Sequence, residues 1–208
     1  MIVTMENRFN VETLNVRNTY MIEPILLALF FAKIKGYKIK PLFKTWAIYP
    51  VLAFVLMYII LEVMIFNGNY IFIKYSSTFH YFYLLSFLIL IIKYKLNVSA
   101  IIGSIFIFIG STLNNIAIGA NNGKMPVFPT LSYLTGYAKP DSFIKVKDIH
   151  ILGSNVTKLK FLTDIIDVGY CVMSIGDICI RVFAFIIIFN TIKVINKTNI
   201  IKDETLHE

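Results

Sequence analysis

Long apolar runs alternate with short basic segments along this chain. Residues 46–66, WAIYPVLAFVLMYIILEVMIF, carry one charge, Glu62, in 21 positions. At 1.5 Å per residue, a helix of that length spans about 31 Å, close to the thickness of a bilayer's hydrocarbon core. Trp46 and Tyr49 stand at its near end, where an aromatic belt lies. Pro50 falls in the first turns, where a missing N–H does least harm. A second run, 97–118, is dotted with small residues. Gly103, Ser104, Gly110 and Ser111 recur at seven-residue spacing, so they share a face that another helix can approach closely. A third run, 175–195, again has helix length. Two shorter runs, 21–35 and 76–92, complete a set of five; the first matches a bilayer only if Lys33 and Lys35 extend to the headgroups.

This pattern predicts an all-α polytopic membrane protein of about five transmembrane helices. One long extracytoplasmic loop of about forty residues, opening with ANNGKMPVFP and ending near FLTDIIDVGY, separates the last two helices. The expected domain runs over 21–195. Residues 1–20 read as a flexible polar extension, without the basic and apolar regions of a signal peptide, and Met21 is a candidate native start. Residues 196–208 read as a polar tail. No internal repeat or interdomain linker interrupts the domain.

Composition sharpens the class. The chain is 57% hydrophobic and only 15% charged, where soluble domains carry about 25% charged residues. Abundant Ile, Lys, Asn, Phe and Tyr suggest an AT-rich bacterial source. The formal charge of +8 is not gathered on one basic face, which argues against a nucleic-acid partner. Five lysines crowd into residues 33–44, and Lys93 and Lys95 follow the third run. If these and the tail are cytoplasmic, ten basic residues lie inside in short segments and nine lie outside in longer ones. The expected setting is therefore the bacterial cytoplasmic membrane, with the N-terminus outside and the C-terminus inside. The lipid bilayer is the expected partner, together with another membrane protein or a second copy.

Candidate chemistry begins at residues 174–181, SIGDICIR. Ser-x-x-Asp before an apolar run is a capping box: the Ser174 hydroxyl accepts from the N–H at 177, and Asp177 accepts from the N–H at 174. Asp177 and Arg181 have the favourable i,i+4 order for a local ion pair. Counting turns from Leu96 brings Asn114 and Asn115 to the same outer layer, followed by Asn121, Asn122 and Met125. Asp164 precedes the last helix on that side as well. These residues, with Ser174 and Asp177, form the candidate binding set.

Other chemistry is less specified. Asp164, Asp167, Asp177 and His150 could gather around a hard cation, but no spacing calls for a metal or a cofactor. His80 reads as an interface histidine hydrogen-bonded among Tyr81 and Tyr83. Cys171 and His150 could act together only if the loop folds back. Cys171 and Cys179 form no CxxC pair and read as reduced, buried thiols. Sequence motifs of serine hydrolases, zinc proteases and P-loop enzymes do not occur.

Several segments together resemble a family of small bacterial integral membrane proteins of unknown function, DUF5317. They are ILLALFFAKIKGYKIKPL; the N-G-G-x-M-P-V pattern at Asn121 to Val127; the T-x-L-x-F-L-G-D-I pattern at Thr157 to Ile165; and S-I-G-D at Ser174 to Asp177. The likeness covers residues 21–192. Asn122 and Thr163 stand where that pattern has glycines, and Asp167 and Arg181 lie outside it. The resemblance implies a fold and no reaction. The favoured reading is a non-enzymatic binding or assembly protein with a polar cluster at its extracytoplasmic face. The alternatives are a small transporter or ion-conducting oligomer, and a membrane-embedded enzyme using the Asp164 and Asp177 carboxylates.

Overall fold

The computed structural model describes residues 22–69, 71–72, 75–139 and 149–204. The predicted N-terminal extension, Met21 and His207 lie outside them. Five helices occupy the predicted apolar runs, with shorter elements between: α1 (Ile22–Ile34), α2 (Lys40–Lys44), α3 (Tyr49–Phe66), α4 (Ser76–Tyr94) and α5 (Asn97–Ala120). Then come β1 (Met125–Val127), α6 (Leu131–Leu134), β2 (His150–Leu152), β3 (Ile166–Asp167) and β4 (Val172–Met173), before α7 (Ile175–Glu204).

Residues 46–66, 97–120 and 175–199 form three helices long and apolar enough to cross a membrane. The apolar part of α4, Thr78–Tyr94, is shorter. The 13 residues of α1 rise only about 20 Å.

The last helix is the centre of the bundle. Half of its apolar stretch is buried, against 17% for α5 and 28% for the helix at 46–66. Along its length α7 packs on α5, α1 and α4. Its Phe183, Ile187, Ile188 and Ile192 share one core with Tyr83, Phe87 and Leu90 of α4, Val51 of α3 and Ile48 just before α3. Large apolar side chains on the outer faces, such as Leu56, Ile60, Ile101, Ile105 and Phe108, are left uncovered. Surfaces of that kind suit lipid better than water.

The small-residue face of α5 meets α7 in an antiparallel contact. Gly103 lies under Phe183, and a Cβ on Gly110 would collide with the Gly176 carbonyl. Ser104, on the same expected stripe, is exposed, whereas Ser111 turns into a cleft described below.

Two expectations need correction. The 196–208 tail was expected to leave the helix, but α7 continues to Glu204. NKTNIIKDE has no glycine or proline to stop it, and Asn196 is anchored against the first basic linker. The fold was also expected to be all-α, but the segment between α5 and α7 is not purely irregular. It contains two small sheets: β1 and β2 pair in parallel, and β3 and β4 pair antiparallel. Strands of two or three residues are too short to show alternation in a sequence.

Three segments meet at one end of the bundle. Lys93 Nζ donates to Thr45 Oγ1 at 2.7 Å and lies over the Trp46 ring. The Asn196 side-chain amide donates to the Lys38 carbonyl at 3.0 Å, and its carbonyl oxygen accepts from the Lys38 N–H at 2.8 Å. The basic linker, the Lys93–Lys95 turn and the C-terminal part of α7 therefore share one end. The loop and the start of α7 occupy the other.

Candidate functional site

At the loop end, the first turn of α7 forms a capping box. The Asp177 N–H donates to Ser174 Oγ at 3.0 Å, and the Ser174 N–H donates to Asp177 Oδ2 at 3.0 Å. The box is extended across to α5. Asn114 Nδ2 donates to Asp177 Oδ1 at 2.9 Å, and the Ser174 hydroxyl donates to Asn114 Oδ1 at 2.7 Å. Ser174 is completely buried and Asp177 is 8% exposed. Gly176 makes this closeness possible, because a Cβ there would strike Asn114 Oδ1 and the Gly110 carbonyl. A carboxylate at a helix N-terminus also faces the positive end of the helix dipole.

The strand β1 places two further side chains beside this cap. Met125 pairs with His150 in β2, and Val127 forms an isolated bridge with Asp164 on its opposite edge. Pro126 has no N–H to give, but its carbonyl accepts from the Asp164 N–H at 3.1 Å. The Asp164 carbonyl in turn accepts from the Phe128 N–H at 2.8 Å. Registered on the two edges of one strand, the side chains of His150 and Asp164 come together, with Nε2 to Oδ2 at 3.6 Å. Both are buried.

The result is a cleft of about 230 Å³ between α4, α5, α7 and the loop. Its polar wall consists of His80, Asn114, Asn115, His150, Asp164 and Asp177, with Ser111 alongside. Ile107, Ile118, Met125 and Ile180 contribute apolar surface. The combination of a mostly apolar lining and a few converging polar groups is usual for a small-molecule site.

Of the eight candidate residues, Asn114, Asn115, Met125, Asp164 and Asp177 line this cleft. Ser174 stands behind it and holds Asn114 and Asp177 in place. Asn121 faces elsewhere: it accepts from the Lys158 N–H at 2.9 Å and donates to the Lys158 carbonyl at 2.9 Å, fastening the loop to the end of α5. Asn122 is exposed and adopts φ 57°. At that position the left-handed backbone demanded of glycine is supplied by asparagine, the side chain that tolerates it best. Thr163, the other departure, is extended at φ −84° and needs no glycine.

The expected Asp177–Arg181 pair does not form. Arg181 NH1 instead lies 3.6 Å from Glu23 Oε1 on α1, and its other terminal nitrogen reaches Cys171 Sγ at 4.0 Å. The local cap and Asn114 of α5 already satisfy Asp177, and Arg181 finds its partner on another helix. Asp167 also leaves the expected acidic group. Its carboxylate accepts from the N–H groups of Thr130, Ser132 and Gly169 and from the Ser132 hydroxyl, at 2.6–2.8 Å. Burial alone would raise its pKa, but these hydrogen bonds outweigh it and hold the carboxyl below its ordinary 3.8. Among the described residues, no three His, Cys, Asp or Glu side chains gather as metal ligands. Cys171 lies against Arg181 while His150 lies against Asp164, so the two form no nucleophile–base pair. Burial pushes the Cys171 thiol up to about 12, which removes the thiolate needed for attack.

His80 is the cleft residue that sequence reasoning misplaced. Rather than hydrogen-bonding among tyrosines, it makes an edge contact with Tyr81, and its Nδ1 has no hydrogen-bond partner. A lone histidine in an apolar run was the available signal.

Fold and site together define a helical protein with membrane-compatible helices and a polar cleft at one end of the bundle. The chain belongs to a family of unknown function, DUF5317, whose model matches residues 39–189. No curated protein and no solved structure matches it.

Proposed function

We propose that this is a multi-pass membrane protein of five helices that binds a small cationic ligand in the cleft without transforming it chemically. The carrying observation is the wall itself: two carboxylates, two carboxamides and two imidazoles from four separate segments converge on one space. Asp164 and Asp177 favour a positive ligand, and the amides provide directional hydrogen bonds. Both oxygens of Asp177 already accept bonds from within the protein. Its carboxylate is thus engaged in holding the structure, which favours binding over acid–base catalysis.

The same reading places the cleft outside the cell and the basic end inside. Support comes from the gathering of the 33–44 linker, Lys93, Lys95 and Asn196 at the end opposite the cleft, as the positive-inside rule requires. Single cysteines at Lys124 and Lys40, in a background without Cys171 and Cys179, test this in intact cells. A membrane-impermeant maleimide should label position 124 and spare position 40; the reverse pattern inverts the topology.

Binding is tested on purified protein by thermal shift with ethanolamine, choline and putrescine. Glycerol and succinate serve as neutral and anionic controls. At least one amine should raise the melting temperature, and Asp164→Asn should abolish that rise. Stabilisation by succinate alone, or no response to any amine, defeats the cationic reading.

A further inference from the structure

A second recess lies on the other side of α7 and shares no lining residue with the cleft. It is a groove of about 340 Å³ between α1 and α7, closed above by the loop. Leu27, Ile178, Val182 and Phe185 form its apolar walls, and Leu27 and Ile178 are exposed there. The two helices run parallel, since Glu23 meets Arg181 and Phe31 meets Phe185 further along. From 178 to 185 the α7 wall rises about 10 Å, the length of a short alkyl segment.

The head of the groove is polar and incompletely satisfied. Arg181 is 7% exposed, and its Nε has no hydrogen-bond partner. Glu23 Oε1 accepts from the Tyr170 hydroxyl at 3.0 Å and lies near Arg181 NH1, but buried Oε2 has no partner. An unpartnered donor and an unpartnered acceptor, both desolvated, therefore stand at the mouth of an apolar channel. Leaving such groups unpaired and out of water is unfavourable, because neither recovers the hydrogen bond it gave up on burial. A ligand that supplied one acceptor and one donor would remove that cost.

We propose that this groove binds one chain of a lipid with a neutral, hydroxyl-bearing head. The hydroxyl oxygen accepts from Arg181 Nε, and its proton is donated to Glu23 Oε2. The Glu23–Arg181 pair is already neutral overall, so a carboxylate or phosphate head would meet Glu23 without a free cation to offset it. Charge complementarity thus selects monoacylglycerol-like lipids over fatty acids and anionic phospholipids. The site shares α7 with the cleft but none of its lining residues.

Native mass spectrometry of the full chain, released from detergent, tests this with 1-monooleoylglycerol, oleate and dioleoylphosphatidylglycerol as probes. One monooleoylglycerol should bind at least tenfold more tightly than either anionic lipid. Leu27→Trp, which plugs the groove from its exposed edge, should abolish that adduct at an unchanged melting temperature; Leu27→Phe is the smaller plug should the first fail to fold. Arg181→Lys should weaken it at least tenfold. Equal binding of oleate or phosphatidylglycerol, absence of any monooleoylglycerol adduct, or its survival at wild-type strength in the plugged variant would each overturn the proposal. Because amine binding in the cleft is measured separately, failure here leaves that reading standing.

Discussion

Asn121 near the end of α5 and Asn196 on α7 make the same set of hydrogen bonds at opposite ends of the bundle. Each donates to the carbonyl four residues earlier, Ala117 or Ile192. Each also closes a two-bond ring with the backbone of a lysine, Lys158 or Lys38. The surroundings differ. Residues 33–48 and 93–97 at the Asn196 end contain no acidic residue. Glu23, Asp164, Asp167 and Asp177 all lie at the Asn121 end or in the loop above it. Fastening a linker to a helix therefore requires only a carboxamide and a backbone, and is indifferent to charge. What makes one end a candidate site is that the fastened loop brings the His150 imidazole and the Asp164 carboxylate against the Asn114 and Asn115 amides of α5, Asp177 of α7 and His80 of α4.

The largest effect should come from removing the closeness on which the loop end depends. Gly176→Leu would drive its side chain into Asn114 and the Gly110 backbone. A cost of at least about 3 kcal/mol is expected from overpacking against backbone, seen as loss of monodisperse protein after detergent extraction. Ser104→Leu, on the exposed face of the same α5, should stay within about 0.5 kcal/mol. Equal behaviour of the two variants would show that the α5–α7 contact does not organise this end. Next in size is Asp177→Ala, which removes the cap and strands the Ser174 N–H and the Asn114 amide. Melting curves should show a loss of about 2–4 kcal/mol, against about 1 kcal/mol for an ordinary cap deletion.

How much of this was legible depends on the range of each interaction. The Ser174–Asp177 cap could be read directly, because a capping box is contained within four residues. The meeting of Asn114 with Asp177 was accessible only as a shared depth, by counting turns from opposite ends of two helices; the hydrogen bond itself required the Gly110–Gly176 approach. Arg181 shows the opposite outcome. The local i,i+4 rule nominated Asp177, and the actual partner was Glu23, more than 150 residues away on a helix whose register no local signal specifies. His150 and Asp164 were noticed as polar residues of a loop, but their pairing is set by β1, three residues long and centred on a proline. The five helical positions were readable because apolar length is a coarse, additive signal.

The two asparagine clamps can be compared directly. Asn121→Ala and Asn196→Ala should each lower stability by about 1–2 kcal/mol, the worth of a few hydrogen bonds partly replaced by water. Hydrogen exchange should rise around residues 156–160 in the first variant and around 36–40 in the second. Amine binding separates them further: Asn121→Ala should weaken it, since the loop carries His150 and Asp164, while Asn196→Ala should leave it unchanged. If both clamps affected binding equally, the independence of the two ends would be lost.

The smallest expected effect concerns acid. The Asp167 carboxyl titrates lower in the folded protein than in the unfolded chain, because its four hydrogen bonds are made to the charged form. Its stabilising contribution is therefore fully present above the unfolded value of about 4 and is lost as pH falls through the lower folded value. Exchange at Thr130, Ser132 and Gly169, corrected for the intrinsic pH dependence, should rise by no more than about tenfold between pH 5 and pH 3. Asp167→Asn should remove most of that pH dependence, since an amide cannot titrate. The Lys38–Asn196 clamp contains no titrating group and should show no matching change. A pH response of equal size at both ends would mean that global charge repulsion, rather than the Asp167 turn, controls the loop in acid.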